Sequence, residues 1–190
     1  MVKSIDPFRP YFDKALDKKL QLTVTMSGGP AQMQMNMGGG HMMPDGTMMG
    51  GSMMAISPDG IEWDDTNKLQ GSMSNTDNVK WLITDEATGK QNMDINWTLK
   101  KDVPVKIRIE NPSNSMHPMQ HPIHFHGQRF LVLSRNGAQQ TDLVWKDTVL
   151  IPAGQYVDIL FDPSNPGTWM AHCHIAEHLG DGMMFTYRVE

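Results

Sequence analysis

The segment HCHIAEH, residues 172–178, contains the only cysteine of the chain and three of its eight histidines. The segment HPIHFHG, residues 121–127, contains three more histidines, and Met183 follows Cys173 by ten residues. A thiolate, two imidazoles and a weak thioether form the ligand set of a blue type 1 copper site. Cys173, His178, Met183 and one histidine of residues 121–127 can supply this set.

His172 and His174 lie on either side of the cysteine. In an extended segment, successive side chains point to opposite faces. We therefore expect the Cys173 thiolate on one face and both imidazoles on the other, where they can bind further metal ions. A lone His-x-His pair often binds no metal, but the joint spacing indicates a metal centre. Zinc is the alternative metal, although structural zinc sites usually contain Cys-x-x-Cys pairs, which this sequence lacks.

At these residues the chain resembles the C-terminal cupredoxin domain of the multicopper oxidases, the family of laccases, cuprous oxidases and copper-resistance oxidases. The resemblance covers roughly Asp94 to Glu190, including WKDTV at residues 145–149, and more loosely Ile61 to Thr98. It implies copper as the cofactor. Position by position, it implies the type 1 ligands His121, Cys173, His178 and Met183, the type 2 ligand His124, and the type 3 ligands His126, His172 and His174.

The resemblance also implies a reaction. A small-molecule reductant or Cu(I) would give electrons to the type 1 copper, and a trinuclear cluster would use four of them to reduce dioxygen to water. Cys173, His172 and His174 would be the catalytic residues between the two sites. The leading hypothesis is therefore a copper-binding oxidoreductase domain with a type 1 site and half of the oxygen-reducing cluster.

The histidine count differs from the family pattern. The family's cluster takes eight histidines, four of them from an N-terminal cupredoxin domain, whereas upstream of His117 this chain has only His41. The resemblance therefore implies that an N-terminal cupredoxin domain, or another copy of the chain, supplies four histidines. Two alternatives remain open: a stand-alone blue electron-transfer or copper-binding module without oxygen reduction, and a copper-sequestering protein.

The overall composition excludes two classes of partner. A net charge of −5 and a pI near 5.9 give no basic surface for nucleic acid, and no apolar run approaches the ~20 residues of a membrane span. The first residues, MVKSID, have no apolar signal-peptide core. We interpret Met1 as a start added to a truncated chain, and only the family resemblance implies an extracytoplasmic location, periplasmic or secreted.

Short alternating or β-branched segments separated by Gly and Pro predict a β-sandwich. With the resemblance, the predicted fold is an all-β, cupredoxin-like Greek-key sandwich, as a single domain at residues 20–190 after an N-terminal extension at 1–19. Arg135-Asn136-Gly137 predicts a turn. The predicted strands are residues 20–25, 103–109, 129–133, 156–161 and 167–171, the last of which leads to the copper cysteine.

A methionine-rich stretch interrupts this pattern at residues 26–54. It contains ten methionines among Gly, Ser, Asn, Gln and Pro, which predicts a Met/Gly-rich loop insertion. Thioethers are soft ligands that favour Cu(I), and the resemblance includes copper-handling members with similar inserts. We favour weak capture of several Cu(I) ions, with a flexible linker as the alternative.

Four further residues are candidates for contact with the reductant. Met116, His117 and Met119 immediately precede His121, where the resemblance places the approach of the reductant. Asp147 can bind or orient the reductant, or can equally satisfy backbone groups at the start of a strand.

Overall fold

A computed structural model describes residues 4–26, 79–115 and 118–190 of the chain. Within these ranges β-strands dominate, as the alternating segments predict. The strands are β1 (Lys18–Met26), β2 (Val79–Asp85), β3 (Asn96–Leu99), β4 (Val105–Asn111), β5 (His121–Phe125), β6 (Arg129–Arg135), β7 (Ala138–Gln139), β8 (Trp145–Lys146), β9 (Thr148–Ile151), β10 (Gln155–Asp162), β11 (Gly167–Cys173) and β12 (Met184–Val189). The described helices are α1 (Ala176–Gly180) and two 3₁₀ helices, Asp6–Tyr11 and Asn92–Asp94.

The described strands form two sheets. The seven-stranded sheet has the order β2-β1-β4-β10-β6-β7, with β8 also paired to β6, and the five-stranded sheet has the order β3-β12-β11-β5-β9. β1 pairs with β4 and β12 pairs with β3 in parallel, whereas β10 pairs antiparallel with both β4 and β6. Most sheet neighbours, such as β10 and β4 or β11 and β5, are not consecutive in sequence, because the chain crosses repeatedly between the two sheets. This arrangement confirms the predicted all-β sandwich.

Aromatic side chains fill the space between the sheets. The Phe125 ring of β5 lies 5.1 Å from the Phe161 ring of β10 and 5.9 Å from the Phe130 ring of β6, measured between centroids. The Tyr187 ring of β12 lies 5.6 Å from Phe161. Edge-to-face and tilted ring pairs each contribute about 0.5–1.5 kcal/mol beyond their area burial. These contacts join the five-stranded sheet to the seven-stranded sheet directly behind the histidine-bearing strand β5.

The N-terminal residues cover the outer face of the seven-stranded sheet. Phe8, in the first 3₁₀ helix, is buried against Leu131 and Leu133 of β6 and Leu160 of β10. Its ring meets the Trp145 ring edge-on at 4.8 Å. This packing explains why five consecutive residues of β6 are buried, since both faces of that strand are covered.

The observed strand bounds differ from the predicted ones where proline intervenes. β4 begins at Val105 rather than Val103, because Pro104 has no N–H to donate to a strand ladder and Val103 is exposed. The predicted turn after β6 is present: Asn136 and Gly137 have φ of 47° and 80°. Two successive positive φ values are typical of the type I′ turns that join hairpin strands.

Gly127→Ala should destabilise the fold strongly. Gly127 has a φ of +68°, and a Cβ at this position would overlap the Trp169 ring. The left-handed backbone costs about 1–2 kcal/mol and the overpacking about 1–3 kcal/mol. Urea denaturation should therefore show a free energy of unfolding that is about 2–5 kcal/mol lower than that of the wild type.

Gly89→Ala provides the matched control. Gly89 has a similar φ of +70°, but a Cβ there would have nothing within 4 Å. The free energy of unfolding of this variant should fall by only about 1–2 kcal/mol, the cost of the left-handed backbone alone. Equal losses in both variants would show that the contact with Trp169 does not constrain residue 127.

Candidate metal centre

Strands β5 and β11 place two groups of potential ligands on opposite faces of one sheet. In their antiparallel register His172 lies opposite His124, and Cys173 lies opposite Ile123. Since side chains alternate along a strand, His121 shares the inner face with Ile123 and Cys173. His124 and His172 point to the outer face. The expected alternation around the cysteine is therefore observed.

The inner group consists of Cys173, His121 and His178, all at most 2% exposed. The Cys173 Sγ lies 3.4 Å from His178 Nδ1 and 3.8 Å from His121 Nδ1, and the two Nδ1 atoms are 3.2 Å apart. Metal–ligand lengths of about 2.0–2.1 Å to nitrogen and about 2.3 Å to sulfur imply N–N separations of about 3.3 Å and N–S separations of about 3.6 Å in a tetrahedral site. The three side chains therefore fit one bound ion.

Met183 lies beside this group. The Cys173 N–H donates to the Met183 carbonyl at 3.0 Å, and the Met183 N–H donates to the His178 carbonyl at 2.9 Å. The Met183 side chain is fully buried, whereas Met184, the first residue of β12, is partly exposed. Short helix α1 carries His178 and returns the chain so that residue 183 lies next to the cysteine.

Burial controls the protonation of the inner group. Burial, with a smaller effect of His178, lowers the pKa of His121 to about 3. That imidazole is therefore neutral near pH 7 and can act as a metal ligand. Burial raises the pKa of the Cys173 thiol to about 11, so an ion that binds the thiolate must displace the thiol proton. One thiolate with two imidazoles is a soft donor set suited to copper.

The outer group contains the remaining candidate ligands. Potential ligand atoms of His124, His126 and His172 all lie within 4.8 Å of one another, and the His126 and His172 Nε2 atoms are 3.0 Å apart. The exposed His174 ring has its centroid 5.6 Å from that of His172 and 5.8 Å from that of His124. Three of the four predicted cluster histidines therefore converge closely, and the fourth lies at their edge.

Hydrogen bonds orient two of these imidazoles. His172 Nδ1–H donates to the Cys173 carbonyl at 2.7 Å. His124 Nδ1 lies 3.0 Å from the Asp147 carbonyl and 2.9 Å from the Thr148 hydroxyl oxygen. Such a bond fixes the tautomer and leaves Nε2 free for a metal. Burial lowers the pKa of His126, and charge on the three neighbouring histidines lowers it further, so this imidazole also favours the neutral, metal-binding form.

Of the residues predicted to contact the reductant, the structure describes Asp147 and Met119. The Asp147 carbonyl accepts the Phe125 N–H at 2.9 Å, and its exposed carboxylate lies 3.8 Å from His124 Nδ1. The carboxylate also accepts the Thr148 hydroxyl at 2.9 Å, and contact with the reductant stays a prediction. Met119 is half-buried, and its carbonyl accepts a bond from the Asn111 amide. Met116, His117 and the methionine-rich insertion predicted at 26–54, apart from its first residue, lie outside the described residues.

One residue at the inner group, Trp81, is absent from the site residues predicted from the sequence. The Trp81 indole of β2 is stacked on the His178 imidazole, with centroids 3.7 Å apart and an interplanar angle of 22°. The alternation of buried and less buried residues through Val79–Asp85 is a strand signal that the predicted strands did not include. The contact itself joins residues almost a hundred positions apart, and no local pattern predicts it.

Comparisons with known proteins show which proteins the chain is similar to. The sequence model of the multicopper oxidase family matches residues 60–190. The chain is 38% identical over 97 residues to the multicopper oxidase mco of Staphylococcus aureus, covering 50% of this chain and 22% of that protein. It is 28% identical over 162 residues to a laccase of Neurospora crassa, covering 70% and 25%. The chain thus spans at most a quarter of either relative.

Two solved structures share the fold. The crystal structure of a multi-copper oxidase from Pediococcus acidilactici superimposes with a TM-score of 0.50 and 29% identity, covering 57% of this chain and 23% of that chain. A multicopper oxidase from Campylobacter jejuni, described as a metallo-oxidase, has a TM-score of 0.53 and 18% identity, covering 93% and 31%. The second likeness concerns the fold alone.

Proposed function

Because the chain belongs to the multicopper oxidase family, we propose that it carries the type 1 copper site and half of the trinuclear cluster of a laccase-like or cuprous oxidase. Its cofactor is copper. The observation that carries the proposal is the position of Cys173. Its sulfur belongs to the inner group with His121 and His178, while its neighbour His172 belongs to the outer histidine group.

The inner group is assigned as the type 1 site. Cys173, His121 and His178 would bind the ion, and Met183 would supply a weak thioether ligand. Burial of all four side chains excludes water and holds the ligands in one geometry, which suits an ion that changes charge without changing position. Copper there supplies one-electron oxidation of the reductant, and copper in a completed cluster supplies four-electron reduction of dioxygen to water.

The route between the two groups is short. Cys173 and His172 are bonded neighbours, and the His172 Nδ1–H donates to the Cys173 carbonyl at 2.7 Å. This hydrogen bond provides a second connection besides the peptide backbone. We assign Cys173, His172 and His174 as the catalytic residues on this route.

The outer group is assigned as four of the eight cluster ligands. His124 would be the type 2 ligand, and His126, His172 and His174 the type 3 ligands. An N-terminal cupredoxin domain or another copy of the chain would supply the other four histidines. The reductant would be a small molecule or Cu(I), and the location would be extracytoplasmic, as the family implies. In the described parts of the chain, no helix is both long and apolar enough to span a bilayer.

We also propose that residues 26–54 are an insertion in a single cupredoxin domain spanning residues 20–190. Strands β1 and β2, which flank the undescribed segment 27–78, are neighbours in the seven-stranded sheet. That adjacency supports an insertion between two strands of one domain.

Oxygen consumption with a phenol or Cu(I) as reductant tests the oxidase assignment. The copper-loaded chain should consume oxygen when four further histidines complete the cluster. A chain that takes up electrons at its blue copper but never consumes oxygen, with or without a partner domain, would instead be an electron-transfer module.

Met183→Leu should leave the copper-loaded protein blue and raise its reduction potential. A weak thioether ligand would tune the potential, and leucine fills a similar buried volume without a donor. Redox titration of the visible absorption measures the shift. Met184→Leu is the matched control and should change neither property, because Met184 is partly exposed in β12. A shift in the control alone would assign the thioether ligand to Met184 instead of Met183.

A further inference from the structure

Trp81 contacts the inner metal-binding group from the opposite sheet. Its indole is stacked on the His178 ring at a centroid distance of 3.7 Å, and it meets the His121 ring nearly edge-on at 5.4 Å. Trp81 is only 6% exposed, so the indole is part of the packed end of the sandwich. One aromatic side chain therefore contacts both histidines of the group, in two different geometries.

A neighbouring segment of the same chain, at Asn92, holds the backbone at Trp81 in place. The Asn92 amide donates to the Trp81 carbonyl at 3.0 Å, and its side-chain oxygen accepts the Ile83 N–H at 2.8 Å. These two bonds continue the antiparallel bridge between Thr84 and Gln91 beside strand β2. Asn92 has a φ of 46°, a conformation that asparagine adopts more readily than most residues. The Asn92 side chain therefore holds the backbone at Trp81 and Ile83, the part of the strand from which the indole projects.

We propose that Trp81 is a positioning residue of the copper site, which holds the His178 imidazole in its ligand orientation and keeps water from that face of the ring. This inference rests on the proposed type 1 site. A ligand imidazole must keep its ring plane when the ion is absent, reduced or oxidised. Aromatic stacking restricts rotation of the ring, and a locked ligand rotamer is what a site with fixed geometry requires.

Exclusion of water should affect the reduction potential of the copper. With one thiolate, the site carries a net charge of +1 with Cu(II) and is neutral with Cu(I). Burial away from water disfavours the more highly charged state, and the apolar surroundings of a metal site thereby affect its reduction potential. Trp81 should therefore favour Cu(I), and its removal should lower the potential.

The first test needs no copper. Protons above the face of an indole are shifted upfield by its ring current, so nuclear magnetic resonance of the copper-free protein should show upfield His178 ring protons. Trp81→Leu should abolish this shift, and Trp81→Phe should reduce it. Trp145→Leu is the matched control, since Trp145 packs on Phe8 and Arg129, and it should leave the His178 signals unchanged. Unchanged His178 signals in both Trp81 variants would overturn the proposal.

The second test is the reduction potential of the copper-loaded protein. Trp81→Leu should shift the Cu(II)/Cu(I) equilibrium at least tenfold towards Cu(II), a lowering of about 59 mV for one electron, and Trp145→Leu should not shift it. If Trp81→Leu does not fold, Trp81→Phe and Asn92→Ala carry the test, with smaller shifts in the same direction. An unchanged or raised potential in the folded variants would contradict the proposal. Failure of the type 1 assignment would appear separately, as a wild-type protein that is not blue.

Discussion

Cys173→Ser should give a folded protein that stays colourless when it is loaded with Cu(II). The intense visible absorption of a blue site arises from charge transfer between thiolate and copper, and Cys173 is the only cysteine of the chain. A hydroxyl at this position is a harder and more weakly donating ligand. The expected result is loss of essentially all of the visible band, measured by absorption at equal copper loading.

The fold should survive this substitution. Serine is slightly smaller than cysteine, and its hydroxyl can donate to one of the imidazole nitrogens that lie 3.4 Å and 3.8 Å from the Cys173 Sγ. Circular dichroism should therefore match that of the wild type. Met184→Leu, with the cysteine intact, should remain blue under the same conditions. A blue Cys173→Ser protein would show that the colour has another source and that the type 1 assignment is wrong.

His172→Ala should abolish oxygen uptake and leave the blue copper site intact. Oxygen uptake by the assembled protein should fall to background, whereas the visible band should remain. His172 lies on the outer face, with its Nε2 3.0 Å from that of His126, and it does not belong to the inner group. Oxygen-electrode measurements with a phenol and with Cu(I) would record the loss.

His178→Ala is the counterpart of this variant. It removes a ligand of the inner group and leaves the four outer histidines in place, so the visible band should disappear. Electron uptake from a phenol should be lost with it. A His172→Ala protein that keeps wild-type oxygen uptake would remove the outer histidines from the reaction.

The dependence of oxygen uptake on protein concentration identifies the source of the other four histidines. A twofold contact between two copies would bring two outer groups together. Turnover per chain should then rise with association. If a separate cupredoxin domain supplies the histidines, turnover should instead follow the amount of that domain added.

The ligand motif was the most predictable part of the molecule. The cysteine with its flanking histidines, and the two-residue period of a strand, predicted that Cys173 and His172 would point to opposite faces. The register between β5 and β11 shows this arrangement, and it depends only on local geometry. The turn at Asn136 and Gly137 was predictable for the same reason, since both residue types tolerate positive φ.

Contacts between distant segments were not predictable. Phe8 lies in a segment without apolar periodicity, and its burial depends on Leu131, Leu133 and Leu160. Trp81 belongs to a strand with a normal alternating pattern, but its contact with His178 requires the two sheets to face each other. The Asp147 carbonyl and carboxylate lie beside His124, and no local sequence pattern predicts this contact either.

One chain should carry a complete type 1 site and only half of a cluster. Copper content per chain, measured together with the visible spectrum and the solution mass, tests it most directly. A monomer of 21.4 kDa should bind one copper tightly and be blue, and further copper should bind tightly only when a second chain or domain joins it. A monomer that binds copper without a blue band, or that holds a full cluster by itself, would contradict the claim.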